Sequence, residues 1–428
     1  MLAFTIIWFG QVISLLGTAM SGFALTIWAW EITGEATALA LVGFFAFAPT
    51  LLISPFAGVL VDRWNRKFVM MLSDLAAVSS TVVVLLLYST GNLQIWHLYI
   101  TGAFSGAFVA FQFPAYSAAV TTMVSKEQYG RTSGMLSAAQ FASNILGPVL
   151  AVILLTIIGI GGILTIDIVT FLIAIGALLF VHVPRPTVTE EGLKSRGSLW
   201  QESLYGFRYI SERRGLFGLL IVFFGINLVA TFAFTLLAPM ILARTGNDAA
   251  VLGIVQSAIG IGGVAGSVVL SIWGGPKRRI HGVLTGLALF MLGVLFIGLG
   301  RASYIWVSAA FFTMFFIPIV QGSSNAIWQA KVAPDVQGRV FATRGLIATI
   351  SRPIALLAIG PLADWYFEPA MMPGGSLVHI LGGLVGTGPG AGMALMFIIS
   401  GFLGILVGLG GYAFRIVRDV EDILPDHQ

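Results

Sequence analysis

Three charged residues fall inside long apolar runs of this 428-residue chain: Asp74, Asp167 and Arg352. An ionised side chain at mid-membrane costs about 2.5–3.5 kcal/mol even on the lenient insertion scale, so each must be paired, neutral or functional. A carboxyl group taken out of water can exchange a proton near neutral pH. Asp167 is the first candidate for such a group; Asp74 is the second, with support of the basic loop just before it as its leading reading. Arg352 stands beside Pro353 and can serve as a partner for the carbonyls that the proline frees. A further concentration of charge is Gly58-Val-Leu-Val-Asp62-Arg63-Trp-Asn65-Arg66-Lys67, which holds four charges in a chain only 9% charged.

Enzymatic chemistry finds no support. The five histidines, His97, His182, His281, His379 and His427, are scattered near the ends of the apolar runs, and neither a metal-ligand pair nor a catalytic triad emerges. The glycines Gly386, Gly388, Gly390 and Gly392 imitate a phosphate-binding loop, but no strand precedes them and no Lys-Ser/Thr follows; a flexible entry to the last span is the expectation. No cofactor and no metal are expected. The absence of cysteine excludes disulfides and thiolate chemistry.

The elements that must position these charges are membrane helices. Hydrophobic residues make up 57% of the chain and mean hydropathy is +0.97, more apolar surface than a soluble protein of this size can hide. A ruler of about 20 residues per crossing gives twelve runs: 4–30, 38–61, 68–90, 95–123, 132–158, 162–183, 216–243, 249–273, 281–300, 303–330, 340–362 and 391–414. The chain is therefore read as an all-α, polytopic membrane protein. Its first run is too long for a signal-peptide core and stays in the mature protein. It begins almost directly at the N-terminus, without a short basic tail, which leaves room for an upstream start codon.

Charge fixes the orientation. Of the 22 Lys and Arg residues, only Arg244 and Arg301 fall in loops on the outer side, and Arg352 falls within a span; the other nineteen, Lys331, Arg339 and Arg344 among them, lie at alternate loops or span ends. The positive-inside bias puts both termini in the cytoplasm. The net charge of +4 thus reflects topology, and nucleic acid is not an expected partner.

The longest polar interval follows the sixth run, and the chain divides accordingly. Residues 1–183 form an N-terminal six-helix bundle, 184–215 a cytoplasmic linker, 216–418 a C-terminal six-helix bundle and 419–428 a cytoplasmic tail. Within the linker Trp200, Leu204, Phe207 and Ile210 recur at helical spacing, as a helix lying on the membrane surface requires. The halves carry a faint repeat, Glu127-Gln-Tyr-Gly130-Arg131 after span four and Asp335-Val-Gln-Gly338-Arg339 after span ten, 208 residues apart. Parallel six-span repeats are a mark of rocking transporters, with substrate bound between the halves near mid-membrane.

The loop Gly58-x-x-x-Asp62-Arg63-x-x-Arg66-Lys67 between spans two and three resembles the signature loop of the major facilitator superfamily, with Asn65 where a glycine is usual. Asn tolerates left-handed backbone nearly as glycine does, so the turn is expected to survive. More local features are similar to the macrolide-efflux group of drug:proton antiporters: Trp8-Phe-Gly-Gln11, Arg352-Pro353, Gly360-Pro-Leu-Ala-Asp364, Gly386-Thr-Gly-Pro-Gly390 and Leu424-Pro-Asp426. The resemblance implies twelve transmembrane helices in two six-helix bundles, the major facilitator fold, in a bacterial inner membrane. It also implies a monomer that exchanges protons for a small amphipathic substrate. Where it departs from the superfamily, the second-half loop Gly274-Gly-Pro-Lys277-Arg278-Arg279 lacks the Asp, and span four lacks the Arg that many proton antiporters carry.

Gly58 removes a side chain one turn before the end of span two and lets helices approach; Asp62 can then face the positive N-terminus of a neighbouring helix. The resemblance makes that neighbour span eleven, opening near Gly338-Arg339, and Arg66 could pair with Glu127. Together these groups would latch the cytoplasmic side; the alternative is a basic loop that merely sets topology. The resemblance also implies that spans one, four, seven and ten line a cavity. Each has a polar or aromatic stripe at spacings of three or four: Gln11, Ser14, Thr18 and Ser21; Thr101, Ser105, Phe108, Gln112 and Tyr116; Phe224, Asn227, Thr231 and Phe234; Met314, Pro318, Gln321, Asn325 and Trp328. Cavity lining and glue between helices are both open readings for any one of these residues. The leading function is export of bulky amphipathic, macrolide-like compounds by proton antiport. Transport of a siderophore or a lipid stays open, and a membrane-embedded enzyme or receptor lacks the residues it would need.

Overall fold

The computed structural model describes residues 2–124, 129–181, 207–332 and 337–423; within them the side chains of Asp62, Arg63, Arg131 and Arg339, among others, lie outside the description. Every regular element among the described residues is helical. In order these are α1 (Leu2–Thr33), α2 (Ala36–Arg63), α3 (Arg66–Ser89), α4 (Ile95–Met123), α5 (Tyr129–Phe180), α6 (Arg214–Thr235), α7 (Leu237–Thr245), α8 (Ala249–Trp273), α9 (Arg279–Leu299), α10 (Ser303–Phe315), α11 (Ile317–Lys331), α12 (Gln337–Leu362), α13 (Val378–Val385) and α14 (Ala391–Ala413). Single helical turns follow α12 and α14.

Eleven stretches are long and apolar enough to cross a membrane. One of them, Ala138–Phe180, has 43 residues. At 1.5 Å per residue that is about twice the ~30 Å thickness of a bilayer core. Gly159 breaks it near the middle, at φ 65° and ψ −175°, a backbone that only glycine adopts without strain. Two other crossings are interrupted without being divided, at Leu236 between α6 and α7 and at Phe316 between α10 and α11. Pro318, which lacks the N–H that would continue the ladder, explains the second break. Large apolar side chains stand exposed along the helices, Ile272 at 83% and Leu52 at 72%, as a lipid-facing surface requires.

The chain forms two compact units, Met1–Leu193 and Lys194–Gln428. In the first, α1 packs on α5, α2 on α4, and α3 against both α4 and α5. Close approach depends on missing side chains. A Cβ at Gly106 of α4 would overlap the carbonyl oxygen of Ala46 on α2, and Cβ atoms at Gly262 and Gly266 of α8 would overlap carbonyl oxygens of Phe311 and Phe315 on α10. Glycines four apart are a familiar solution where lipid provides no hydrophobic drive to press helices together. A buried cluster of Ile7, Met70, Ala115, Ala119 and Leu178 ties α1, α3, α4 and α5 together at the end of the unit that carries the α2–α3 loop.

The expected linker falls mostly outside the described residues, including Trp200 and Leu204. Residues 207–212 are helical, with Phe207 exposed, Ile210 buried and an exposed Arg208–Glu212 ion pair. The two copies of the acid-x-x-Gly-Arg repeat occupy equivalent places: Gly130-Arg131 are the second and third residues of α5, and Gly338-Arg339 the second and third of α12. Their acids, Glu127 and Asp335, lie outside the described residues. So do residues 424–428 of the tail. Residues 419–423, by contrast, dock on the second unit through Glu421, whose carboxylate accepts from the backbone N–H groups of Arg279 and Ile280 at 3.1 and 2.8 Å.

Candidate functional site

One seam in the first unit gathers both acids. Asp74 stands eight residues into α3 and is 3% exposed. Gln11 Nε2, from α1, donates to its Oδ2 at 3.0 Å, and Gln112 Nε2, from α4, donates to its Oδ1 at 2.9 Å. The same Gln112 amide reaches Gln11 Oε1 at 3.3 Å, so three helices close on one carboxyl group. Gln112 Oε1 is buried without a hydrogen-bond partner, and so is the hydroxyl of Tyr116 one turn along α4.

Seven residues beyond Asp74, Thr81 Oγ1 donates to Asp167 Oδ2 at 3.1 Å. Ser21 Oγ donates to that oxygen at 2.9 Å, and Thr18 Oγ1 to Oδ1 at 3.3 Å. Asp167 is 1% exposed. Gly17 makes this possible, because a Cβ there would overlap Thr170 Oγ1 and come within 3.0 Å of Asp167 Oδ1. Seven residues are nearly two turns, so Asp74 and Thr81 share a face of α3, about 10 Å apart along its axis, and the two acid sites follow one another along the seam. Among the described residues no cation lies within ion-pair distance of either acid.

The two acid sites differ in chemistry. A hydroxyl can donate to a carboxylate or, after rotating, accept from a carboxylic acid, whereas an amide N–H₂ can only donate. Three hydroxyls around Asp167 can therefore serve both protonation states by bond rotation alone. The Asp74 site serves the protonated state only if an amide turns over, and Gln112 Oε1, unused, is the atom available for it.

The charged loop begins where α2 ends. Asn65 has φ −68° and ψ 114°, so the left-handed backbone expected of it is not used. The turn survives for another reason: Asn65 is the N-cap of α3, its side-chain oxygen accepting from Lys67 N at 3.1 Å. Lys67 Nζ donates to the carbonyls of Leu179 and Val181 at 3.0 and 2.9 Å, capping the C-terminal end of α5. That bond is internal to the first unit. Gly58, Asp62 and Arg63 belong to the last turns of α2, but the side chains of Asp62 and Arg63, like Glu127 and the side chain of Arg339, lie outside the described residues.

The expected cavity stripes separate into distinct environments. Ser14 and Ser21 are buried at 4% and 5%, while Thr18 has an exposed edge. Ser105 bonds Ser80 of α3 at 2.8 Å, and the Phe108 carbonyl accepts from Ser73 at 3.1 Å, which is helix-to-helix glue. Asn227 and Thr231 spend their polar groups on their own helix, bonding the carbonyls four residues back at 2.9 and 2.7 Å. Gln321 and Asn325 are exposed on α11. Arg352 is exposed on α12.

Three ionic groups carry more of the second unit than their sequence positions announce. Arg244, at the end of α7, donates to the carbonyls of Gly390, Gly300 and Val385 at 3.2, 2.8 and 2.6 Å. Glu368 accepts from Gly390 N and Met393 N at 3.0 and 2.7 Å, capping α14. The glycine stretch before the last span, expected as a flexible entry, is thus held from both sides. Arg344, expected near a loop, lies seven residues into α12 with Ser324 and Asn325 as partners. The only signal for these in the sequence was a charge out of place.

Comparison with known proteins fits this architecture. The family model for the Major Facilitator Superfamily matches residues 7–356. Macrolide efflux protein A of Streptococcus pyogenes is 28% identical over 370 residues, covering 85% of this chain and 90% of that protein. The macrolide efflux protein A of Enterococcus faecalis is 27% identical over 325 residues, 74% of this chain and 98% of that protein. The multidrug efflux pump Tap of Mycolicibacterium fortuitum is 27% identical over 376 residues, 81% and 87%. Among solved structures, a bacterial homologue of the lysosomal transporter Spinster, inward-facing and unoccupied, superposes with a TM-score of 0.69 over 97% of each chain at 14% identity. A bacterial homologue of the iron transporter ferroportin gives 0.67 over 95% of this chain and 98% of the other, also at 14% identity. A polytopic helical chain matched by the family model over most of its length belongs to the Major Facilitator Superfamily and resembles its macrolide-efflux transporters.

Proposed function

We propose that this protein exports bulky amphipathic compounds, macrolide-like in character, across a bacterial inner membrane by proton antiport. The observation that carries the reading is the pair of carboxyl groups buried in one seam with neutral partners alone among the described residues. A carboxylate held at that depth without a cation is costly, and protonation removes the cost. Asp167 is the proton carrier in this proposal, with Asp74 as the second site. The similarity to macrolide efflux proteins over most of both chains supports the substrate class.

In this proposal the break at Gly159 separates two crossings, which makes twelve in two bundles of six with both termini cytoplasmic. The monomer rocks between inward- and outward-open states. Asp62, Arg63 and Arg66 form the cytoplasmic latch with Glu127, Gly338 and Arg339, and Lys67 anchors that loop to α5. Thr18, Phe108, Tyr116, Gln321 and Asn325 contact substrate. Expression in an efflux-deficient bacterium tests the function: resistance and reduced accumulation of macrolides, both abolished by a protonophore, are expected. Unchanged accumulation across a compound panel would overturn it. For the latch, Asp62→Asn is expected to cut transport several-fold at normal protein abundance, and undiminished transport would refute it.

A further inference from the structure

Arg344 stands at the start of a membrane crossing of the second unit, Thr343–Met371, and its partners are all neutral. One terminal nitrogen donates to Asn325 Oδ1 at 3.0 Å and the other to Ser324 Oγ at 2.9 Å. Its guanidinium carbon lies 5.1 Å from the ring centroid of Trp328 and 5.8 Å from that of Phe223. Three helices, α6, α11 and α12, therefore converge on one cation. Among the described residues no carboxylate pairs with it. A guanidinium has five N–H donors in a planar fork, so three are left without an acceptor among those residues. Trp328 is fully buried and its indole N–H has no hydrogen-bond partner, a second unused donor in the same cluster. Arg344 is half-buried and Asn325 exposed, so a ligand can reach the fork.

A half-buried cation with only amide, hydroxyl and aromatic neighbours and an open side is well placed to take an anion that arrives from outside the protein. The fork geometry of arginine fits a planar or tetrahedral oxyanion held through two N–H groups. Phe223 and Trp328, both buried, pack beneath that charge and hold the guanidinium in place. We propose that Arg344 and Asn325, backed by the buried Ser324 and Trp328, form a docking point for the oxyanion of an amphipathic molecule, a carboxylate or phosphate group on an apolar body. The site extends the proposed export function to acidic amphiphiles, and it depends on that function only for whether the anion is transported. The other source of the same chemistry is an anionic lipid headgroup.

Binding of a dansylated long-chain fatty acid and of its methyl ester to the purified full-length protein separates these cases. In nanodiscs of phosphatidylcholine alone, the acid is expected to bind at least about tenfold more tightly than the ester, the scale of a charge-assisted hydrogen bond. Arg344→Gln is expected to abolish that preference while leaving ester binding unchanged, which also shows that the variant is folded. Arg344→Lys, which keeps the charge and loses the fork, is expected to retain part of it. Equal binding of acid and ester by the unaltered protein, or an undiminished preference in Arg344→Gln, overturns the proposal. Adding phosphatidylglycerol to the nanodiscs identifies the source: displacement of the acid assigns the docking point to a lipid headgroup, and its retention assigns it to a free acidic amphiphile. No gradient or export is involved, so failure of the drug-export reading leaves this outcome readable.

Discussion

The two units surround opposite charges with neutral groups, fully burying the acids of the first and half-burying the arginine of the second. In the first, Asp74 and Asp167 are enclosed by amides and hydroxyls; in the second, Arg344 is met by a hydroxyl, an amide and two aromatic rings. Neither unit supplies the counter-charge from its described residues. The contrast teaches that these charges are not there as structural ion pairs, which would have needed one partner each on a neighbouring helix. An unpaired acid can be relieved by a proton, but arginine stays charged at any physiological pH and needs an acceptor, water or an anion, at its open side.

The loops between the second and third crossings of each unit make a parallel comparison. In the first unit the cap for α3 comes from Asn65, within the loop itself. In the second unit α9 is capped by Glu421, from the far end of the chain, while Arg278 of the same loop pairs with Asp422. Lys331, at the end of α11, also donates to the Glu421 carbonyl. The first loop is capped from within and anchored by Lys67 to α5 of its own unit; the second is bound to the tail.

The largest effect that bears on the acid contrast is expected from Asp167→Asn, which should lower proton-driven uptake into everted vesicles by more than about tenfold, equivalent to ~1.4 kcal/mol. Asp74→Asn should cost less, because its amide partners serve only one protonation state without turning over. The reverse order would break the argument from hydroxyls. Next in size, Gly17→Val forces a side chain into Thr170 and Asp167 and should destabilise by about 1–3 kcal/mol, read as a fall in apparent Tm in detergent. An unchanged Tm would mean that α1 and α5 are looser than their packing indicates.

The comparison of loops yields smaller effects. Glu421→Ala removes a cap that accepts two backbone N–H groups and should cost about 1–2 kcal/mol. Asn65→Ala should cost about 1 kcal/mol and Asn65→Gly only a few tenths of that. If glycine at 65 proved better than asparagine, a left-handed turn would be in use after all, and the capping account of this position would fail.

Much of the fold was legible in the sequence because membrane helices announce themselves. The break at Gly159 falls between the expected runs 132–158 and 162–183, and the charged stretch straddles the junction of α2 and α3. Asp74 and Asp167 could be selected for the same reason, since acids inside apolar runs are rare. The stripes were harder to interpret. Ser105 and Asn227 look alike along a helical wheel, yet one bonds a neighbouring helix and the other its own backbone. Spacing gives the face of a helix, not what the face meets.

Sequence alone determined the membrane class, the number of apolar runs and the family resemblance, because hydropathy and a local charged motif are properties of contiguous residues. Tertiary structure decided the partners: Gln11 and Gln112 for Asp74, three hydroxyls for Asp167, Leu179 and Val181 for Lys67, and neutral company for Arg344. Those pairings span up to 149 residues, and they form because Gly17 and its counterparts let helices approach until one polar side chain can reach another. In lipid a polar group must find its partner within the protein, and only the packed helices specify which group that is.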